Sequence, residues 1–128
     1  MCNNYKNLTT GDRAQGATVK KFSVNCDRHY LIPDWYRFQG AAGDRIADKC
    51  VPERRCGTRA PGWMKGNHPT VPEGVVTRKV CYHIYNDCCF WSNNITVKNC
   101  GGYFVYKLER RLHCFAGYCG NGGGGKLP

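Results

Sequence analysis

The stretch from Cys81 to Leu108 runs Cys81-Tyr-His-Ile-Tyr-Asn-Asp-Cys88-Cys89-Phe-Trp-Ser-Asn-Asn-Ile95-Thr-Val97-Lys-Asn-Cys100-Gly-Gly-Tyr103-Phe-Val-Tyr106-Lys-Leu108. Its last part decides the fold class. Ile95 and Val97 alternate with Thr96 and Lys98, the period of a strand with one face buried. Gly101-Gly102 supplies a turn, and Tyr103–Leu108 resumes a β-rich run, so the pair is a hairpin candidate. Upstream, Val75–Tyr85 is the longest β-rich segment, and Asp34–Gly40 alternates Trp35/Arg37 against Tyr36/Phe38 before ending at Gly40. Thr18–Val24 alternates loosely enough for an edge strand. Ala42, Ile46 and Ala47 fall at helical spacing and predict one or two turns of helix over 41–48. Proline and glycine dominate Val51–Pro72, which reads as one long irregular loop. The expected fold is a small disulfide-rich α+β domain, mostly antiparallel β-sheet with one or two short helices and long loops.

Ten cysteines in 128 residues form the second signal. The even number fits five bridges, and that density belongs to an oxidising, extracellular setting. Structural zinc is disfavoured because there is no Cys-x-x-Cys, Cys50 and Cys56 are six apart, and the histidines are scattered singly. No metal and no cofactor is expected. The length allows one domain, assigned to residues 2–119; the glycine-rich Gly120–Pro128 is expected to be a linker or cloning remnant outside the fold. No signal-peptide pattern follows Met1, so the chain reads as a mature domain. No run approaches the ~20 apolar residues of a membrane span. Two sequons, Asn7-Leu8-Thr9 and Asn94-Ile95-Thr96, point to glycosylated surface turns at Asn7 and Asn94.

The cysteine order then gains a family likeness. Cys50-Val-Pro-x-x-x-Cys56-Gly-Thr-x-x-Pro-Gly-Trp63, His68-Pro69, Glu73-Gly74-Val75-Val76, Cys81, Cys88-Cys89 and Ile95-x-Val97-Lys98-x-Cys100-Gly-Gly-Tyr103-x-Val105-Tyr106-x-Leu108 resemble the ten-cysteine domain of the uromodulin and pancreatic secretory-granule glycoprotein family. Trp35-Tyr36-Arg37-Phe38 with Gly40 and Gly43 fits the same pattern, and the resemblance runs from about Cys2 to Cys119. It implies the pairing Cys2–Cys100, Cys26–Cys114, Cys50–Cys88, Cys56–Cys119 and Cys81–Cys89. The first two would each close a long loop, worth up to about 4.7 kcal/mol in the loop-entropy model, although such contributions do not add. It also implies a secreted or surface-tethered protein with no chemistry in this domain, whose vertebrate members present glycans to bacterial adhesins. Two glycan-bearing asparagines of the family are missing here: one position is Lys107, and the stretch around the other reads Trp63-Met-Lys65-Gly66-Asn67-His68-Pro69. The adhesin-decoy role is therefore not carried over.

No catalytic constellation stands out. Ser23 and Ser92 lack a nucleophile-elbow frame, and the carboxylates form no clear acid–base pair, although Asp44 and Asp48 would share a face if 42–48 were helical. Trp35, Phe38, Val75 and Tyr106 are expected in the core. The formal charge of +10 favours acidic partners through steering. Nucleic acid is disfavoured, since no zinc finger, RNP motif or basic helix is present. Arg54, Arg55, Arg59, Trp63, Lys65 and His68, in and beside the Pro/Gly-rich loop, are the expected ligand surface. The expected function is a secreted, non-enzymatic module that recognises extracellular glycans or acidic glycoconjugates in host defence or adhesion. Two alternatives stand beside it: a structural module of an adhesive, mucus, shell or egg-coat matrix that assembles with matrix proteins, and a cationic protein acting on microbial surfaces or acidic polymers.

Overall fold

The computed structural model describes residues 1–8, 34–56, 58–108 and 116–122. At its centre is the longest strand pair. Strand β4 (Val75–Ile84) runs antiparallel to β5 (Asp87–Asn99), which continues through the Gly101-Gly102 turn into β6 (Phe104–Leu108). Around them lie β1 (Lys6–Leu8), β2 (Asp34–Phe38), β3 (Ala60–Lys65) and β7 (Ala116–Tyr118), giving one sheet in the order β1-β2-β6-β5-β4-β3-β7. The sheet is mixed, since β1 lies parallel to β2 and β3 parallel to β7. Both outer strands are three residues long, which leaves little unpaired edge for another chain to add to.

Alternation selects the core. In β2 the inward residues are Tyr36 and Phe38, so Trp35 is only half-buried; in β4 it is Val76 that packs inward, and Val75 is 46% exposed. Phe38 and Tyr106 are buried as expected, edge to face with ring centres 5.5 Å apart. A second, smaller cluster gathers Ala47, Val51, Cys56 and Cys119, with Trp63 packed against it.

Three expectations are corrected. Residues 41–48 form no α-helix, only a short 3-10 turn at Gly40–Ala42. Their backbone groups bond outward to the chain end: Gly122 N–H donates to the Ala42 carbonyl (3.0 Å), Asn121 N–H to that of Arg45 (2.9 Å), and Ala47 N–H to that of Cys119 (2.8 Å). Hydrogen bonds satisfied across the fold leave no carbonyl ladder for a helix to use. Asp44 and Asp48 consequently share no helix face. Second, Gly120, Asn121 and Gly122, from the stretch expected outside the fold, are tied into it by these bonds and by the Ile46–Gly120 bridge. Third, the supposed long loop contains β3. Pro61 precedes the register with β4, which begins at Gly62, so its missing N–H breaks no rung there. Gly62 sits under the Tyr82 ring, where an added Cβ would lie 2.6 Å from Cε1.

Four of the family-implied bridges are present, Cys2–Cys100, Cys50–Cys88, Cys56–Cys119 and Cys81–Cys89, with Cα–Cα distances of 5.9, 5.7, 5.3 and 4.5 Å. Cys26–Cys114 and the Thr18–Val24 strand lie outside the described residues.

Candidate functional site

The six residues expected to form a ligand surface are divided by the fold. Arg54 and Arg59 come together: Arg54 N–H donates to the Arg59 carbonyl at 3.1 Å, and both line a hollow of about 310 Å³ with Glu53, Ile84 and Tyr85. Arg55 lies in the same loop, its carbonyl accepting from Thr58 N–H at 3.2 Å. Trp63 is a packing residue. It covers the second cluster, and its indole N–H donates to the Cys88 carbonyl at 2.7 Å. Lys65 is exposed at the end of β3, opposite Lys79.

His68 belongs to the interior, with a side chain 6% exposed. Its Nε2 lies 2.7 Å from the Tyr106 hydroxyl, and its ring lies 4.5 Å from that of Phe104. Tyr106 Oη also accepts Ile46 N–H at 3.0 Å. Nδ1 has no hydrogen-bond partner among the described residues, since Asp48 Oδ2 at 3.7 Å is too far for one. Burial, then the nearby Arg45 charge, depresses the His68 pKa to about 4, with Asp48 opposing. Burial likewise raises the Tyr106 phenol above its ordinary value.

The larger recess lies elsewhere, at the end of the sheet where β2, the 3-10 turn and the β5–β6 turn meet. It encloses about 490 Å³ between Arg37, Phe38, Gln39, the Gly43–Arg45 segment and Gly101–Phe104. Arg37 lies over the Tyr103 ring at 4.0 Å and within 5.8 Å of the Tyr5 ring, and its Nη1 donates to Tyr5 Oη at 3.0 Å. Tyr103 is held in turn by its hydroxyl, which donates to the Cys2 carbonyl at 2.6 Å beside the Cys2–Cys100 bridge. Such stacking fixes a guanidinium without neutralising it. Among the described residues no carboxylate pairs with Arg37. Arg45, over Phe104 at 4.9 Å, does have a partner: its Nε donates to Asp44 Oδ1 at 3.2 Å. That contact and Asn121 Nδ2 (2.9 Å from the same oxygen) hold the Asp44 carboxyl below its usual range. Arg37 therefore carries the uncompensated charge of the recess.

Arg37 and Arg45 are not in basic doublets, the signal followed in the sequence. Arg37 stood only within the Trp35–Phe38 pattern, and nothing local joins position 37 to position 103. Asn7 and Asn94 are exposed, on β1 and β5 rather than in turns. Asn7 Oδ1 accepts a hydrogen bond from Gln39 Nε2, which places that sequon at the rim of the recess.

A group of Cys50, His83 and Cys88 has metal-like proximity, but the two sulfurs form a disulfide, and a thiolate is what a metal requires. His83 Nδ1 lies 2.7 Å from the Val51 carbonyl. No helix among the described residues is long and apolar enough to cross a membrane.

Comparison with known proteins agrees with this arrangement. The chain is 42% identical to uromodulin of Mus musculus over 119 residues, 92% of this chain and 18% of that protein. It is 41% identical to the pancreatic secretory granule membrane major glycoprotein GP2 of Canis lupus familiaris over 119 residues (92% of this chain, 23% of the other), and 39% to that of Homo sapiens (92% and 21%). It thus spans about a fifth of the length of these relatives. The model of the uromodulin-like cysteine-rich domain matches residues 36–120, which reach from within β2 through β7, and the chain belongs to that family.

Proposed function

We propose that the chain is a secreted, non-enzymatic binding module that recognises acidic extracellular glycoconjugates, and that the recess around Arg37 receives the acid group. The observation that carries this reading is Arg37 itself, flat on Tyr103, without a carboxylate partner among the described residues, and open to about 490 Å³. A guanidinium has five N–H donors, and only one is used, by Tyr5. The others suit the carboxylate of a sialic or uronic acid, or a sulfate. The formal charge of +10 steers such ligands in. The relative named as a glycoprotein of secretory granule membranes is in keeping with an extracellular role.

The test is a glycan array with the oxidised domain at low and physiological salt, run beside Arg37→Ala and an Arg54→Ala/Arg59→Ala double variant. Acidic glycans should bind, binding should weaken with salt, and Arg37→Ala should cost about tenfold or more, as expected for a charged hydrogen bond. A blank array at both salts, or full binding by Arg37→Ala, overturns the proposal.

A further inference from the structure

A second surface stands apart from the recess, at the tip of the β4–β5 hairpin. Ile84 pairs with Asp87, so Tyr85 and Asn86 alone form the turn, with φ of +53° and +61°. That is the type I′ geometry, which favours asparagine or glycine at both central positions. Asn86 fits, whereas a tyrosine rarely adopts such a φ. The surroundings hold it there. The Glu53 carboxylate accepts the backbone N–H groups of Tyr85 (3.1 Å) and Asn86 (3.2 Å), and the Cys81–Cys89 and Cys50–Cys88 bridges pin the hairpin just behind the turn. The fold thus maintains a disfavoured backbone and uses it to display a ring that is 65% exposed.

Around Tyr85 the surface is aromatic and cationic. Phe90, 46% exposed, lies 5.0 Å from the Tyr85 ring, and Trp91 lies 5.4 Å from Phe90. On the other side Tyr85 walls the hollow of about 310 Å³ that it shares with Arg54 and Arg59. Neither arginine has a carboxylate within ion-pair distance among the described residues, and the Glu53 carboxylate is already engaged by the turn. Exposed aromatic rings beside arginines are the composition of protein-binding hot spots.

We infer that the Tyr85–Phe90 hairpin tip, with Arg54 and Arg59, is a docking surface for an acidic protein segment. An apolar side chain of the partner would enter the hollow, and its flanking carboxylates would meet the two guanidiniums. Two observations favour protein over sugar. The three rings meet at 72–78°, so they form a ridged surface and not the flat platform on which a sugar face stacks. The charge is complementary to an acidic segment and opposed to a second copy of this chain, at a formal +10. The inference does not depend on the glycan reading, because Arg37 is not part of this surface.

The probe is a displayed library of short random peptides, panned against the oxidised domain and against Tyr85→Asn. Asparagine suits the turn, so Tyr85→Asn should keep or raise Tm while removing the ring. Expected are peptides that combine Asp or Glu with an aromatic or leucine residue, bind Tyr85→Asn about tenfold or more weakly, weaken in Arg54→Ala/Arg59→Ala and with salt, and bind Arg37→Ala unchanged. Phe90→Ser provides a second variant with the turn intact and should also weaken binding. Selected peptides without acidic residues, equal binding by Tyr85→Asn, or failure to select any peptide that distinguishes it from wild type overturns the inference. A Tyr85→Asn variant that loses Tm would overturn the argument that the turn carries Tyr85 at a cost to stability.

Discussion

Charging His68 should destabilise the fold across a defined pH window. Its ring is enclosed by Phe104 and Tyr106, and its pKa falls from 6.5 to about 4, first through burial and then through Arg45. The unfolded chain therefore takes up this proton more readily than the folded one. Stability is full above pH 6.5, falls as pH drops from 6.5 toward 4, and loses no more from this residue below about 4. At about 1.4 kcal/mol per pH unit, the displacement amounts to about 3 kcal/mol. The assay is equilibrium unfolding in urea under oxidising conditions at several pH values, for wild type and His68→Gln. Glutamine can still bond to Tyr106 but cannot be charged. Differences between the two slopes isolate His68, since other titrating groups contribute to both. Asp44, held below its usual range by Arg45 and Asn121, protonates at lower pH and falls outside the window. Parallel wild-type and variant slopes between pH 4 and 6.5 would refute the reasoning.

Other substitutions test the packing. Gly62→Ala would press a Cβ to 2.6 Å from the Tyr82 ring and should cost about 1–3 kcal/mol in denaturant unfolding. Trp63→Phe removes the donor to Cys88 while keeping most of the cover over the second cluster, so a loss of about 1 kcal/mol is expected, measured the same way. Asn121→Ala deletes the acceptor for Asp44 N–H and the donor to the Asp44 carboxylate; about 1 kcal/mol should be lost, with faster amide exchange around 42–46. Glu53→Gln should lower Tm modestly by weakening a charge-assisted clamp on the Tyr85–Asn86 turn.

What was legible in the sequence follows the range of each signal. Alternation exposed β2, β4 and the β5–β6 hairpin, because each carries its own period of two on a half-buried face. It did not expose β3, where Pro61 and Gly62 resemble loop punctuation. Gly62 is there to let the Tyr82 ring approach, a requirement set by a strand twenty residues away. The helix expected over 41–48 had adequate spacing, but its backbone partners sit at residues 119–122, beyond any local window. Among the candidate ligand residues, Arg54 and Arg59 were found because they are close in sequence. Trp63 and His68 look like surface groups in a polar loop until the fold gives one a carbonyl and the other a tyrosine hydroxyl. Arg37 became visible only once Tyr5 and Tyr103 were brought against it. A Tyr-Asn pair between Ile84 and Asp87 is not a common hairpin signal, since tyrosine is rarely found in the left-handed region.

The bridge from Cys2 to Cys100 also sets what the domain does when pulled. Between Cys2 and Cys119 the polypeptide is 117 residues long, which at ~3.4 Å per residue could extend by roughly 400 Å. The covalent route through the bridge skips 98 of those positions, leaving the 19 from Cys100 to Cys119, or roughly 65 Å. Tension between these points is thus borne by sulfur–sulfur and peptide bonds, while most of the sheet is bypassed. Within a longer glycoprotein the module would act as a nearly inextensible link, holding its recess and its hairpin tip in shape under shear that unravels an uncrosslinked domain.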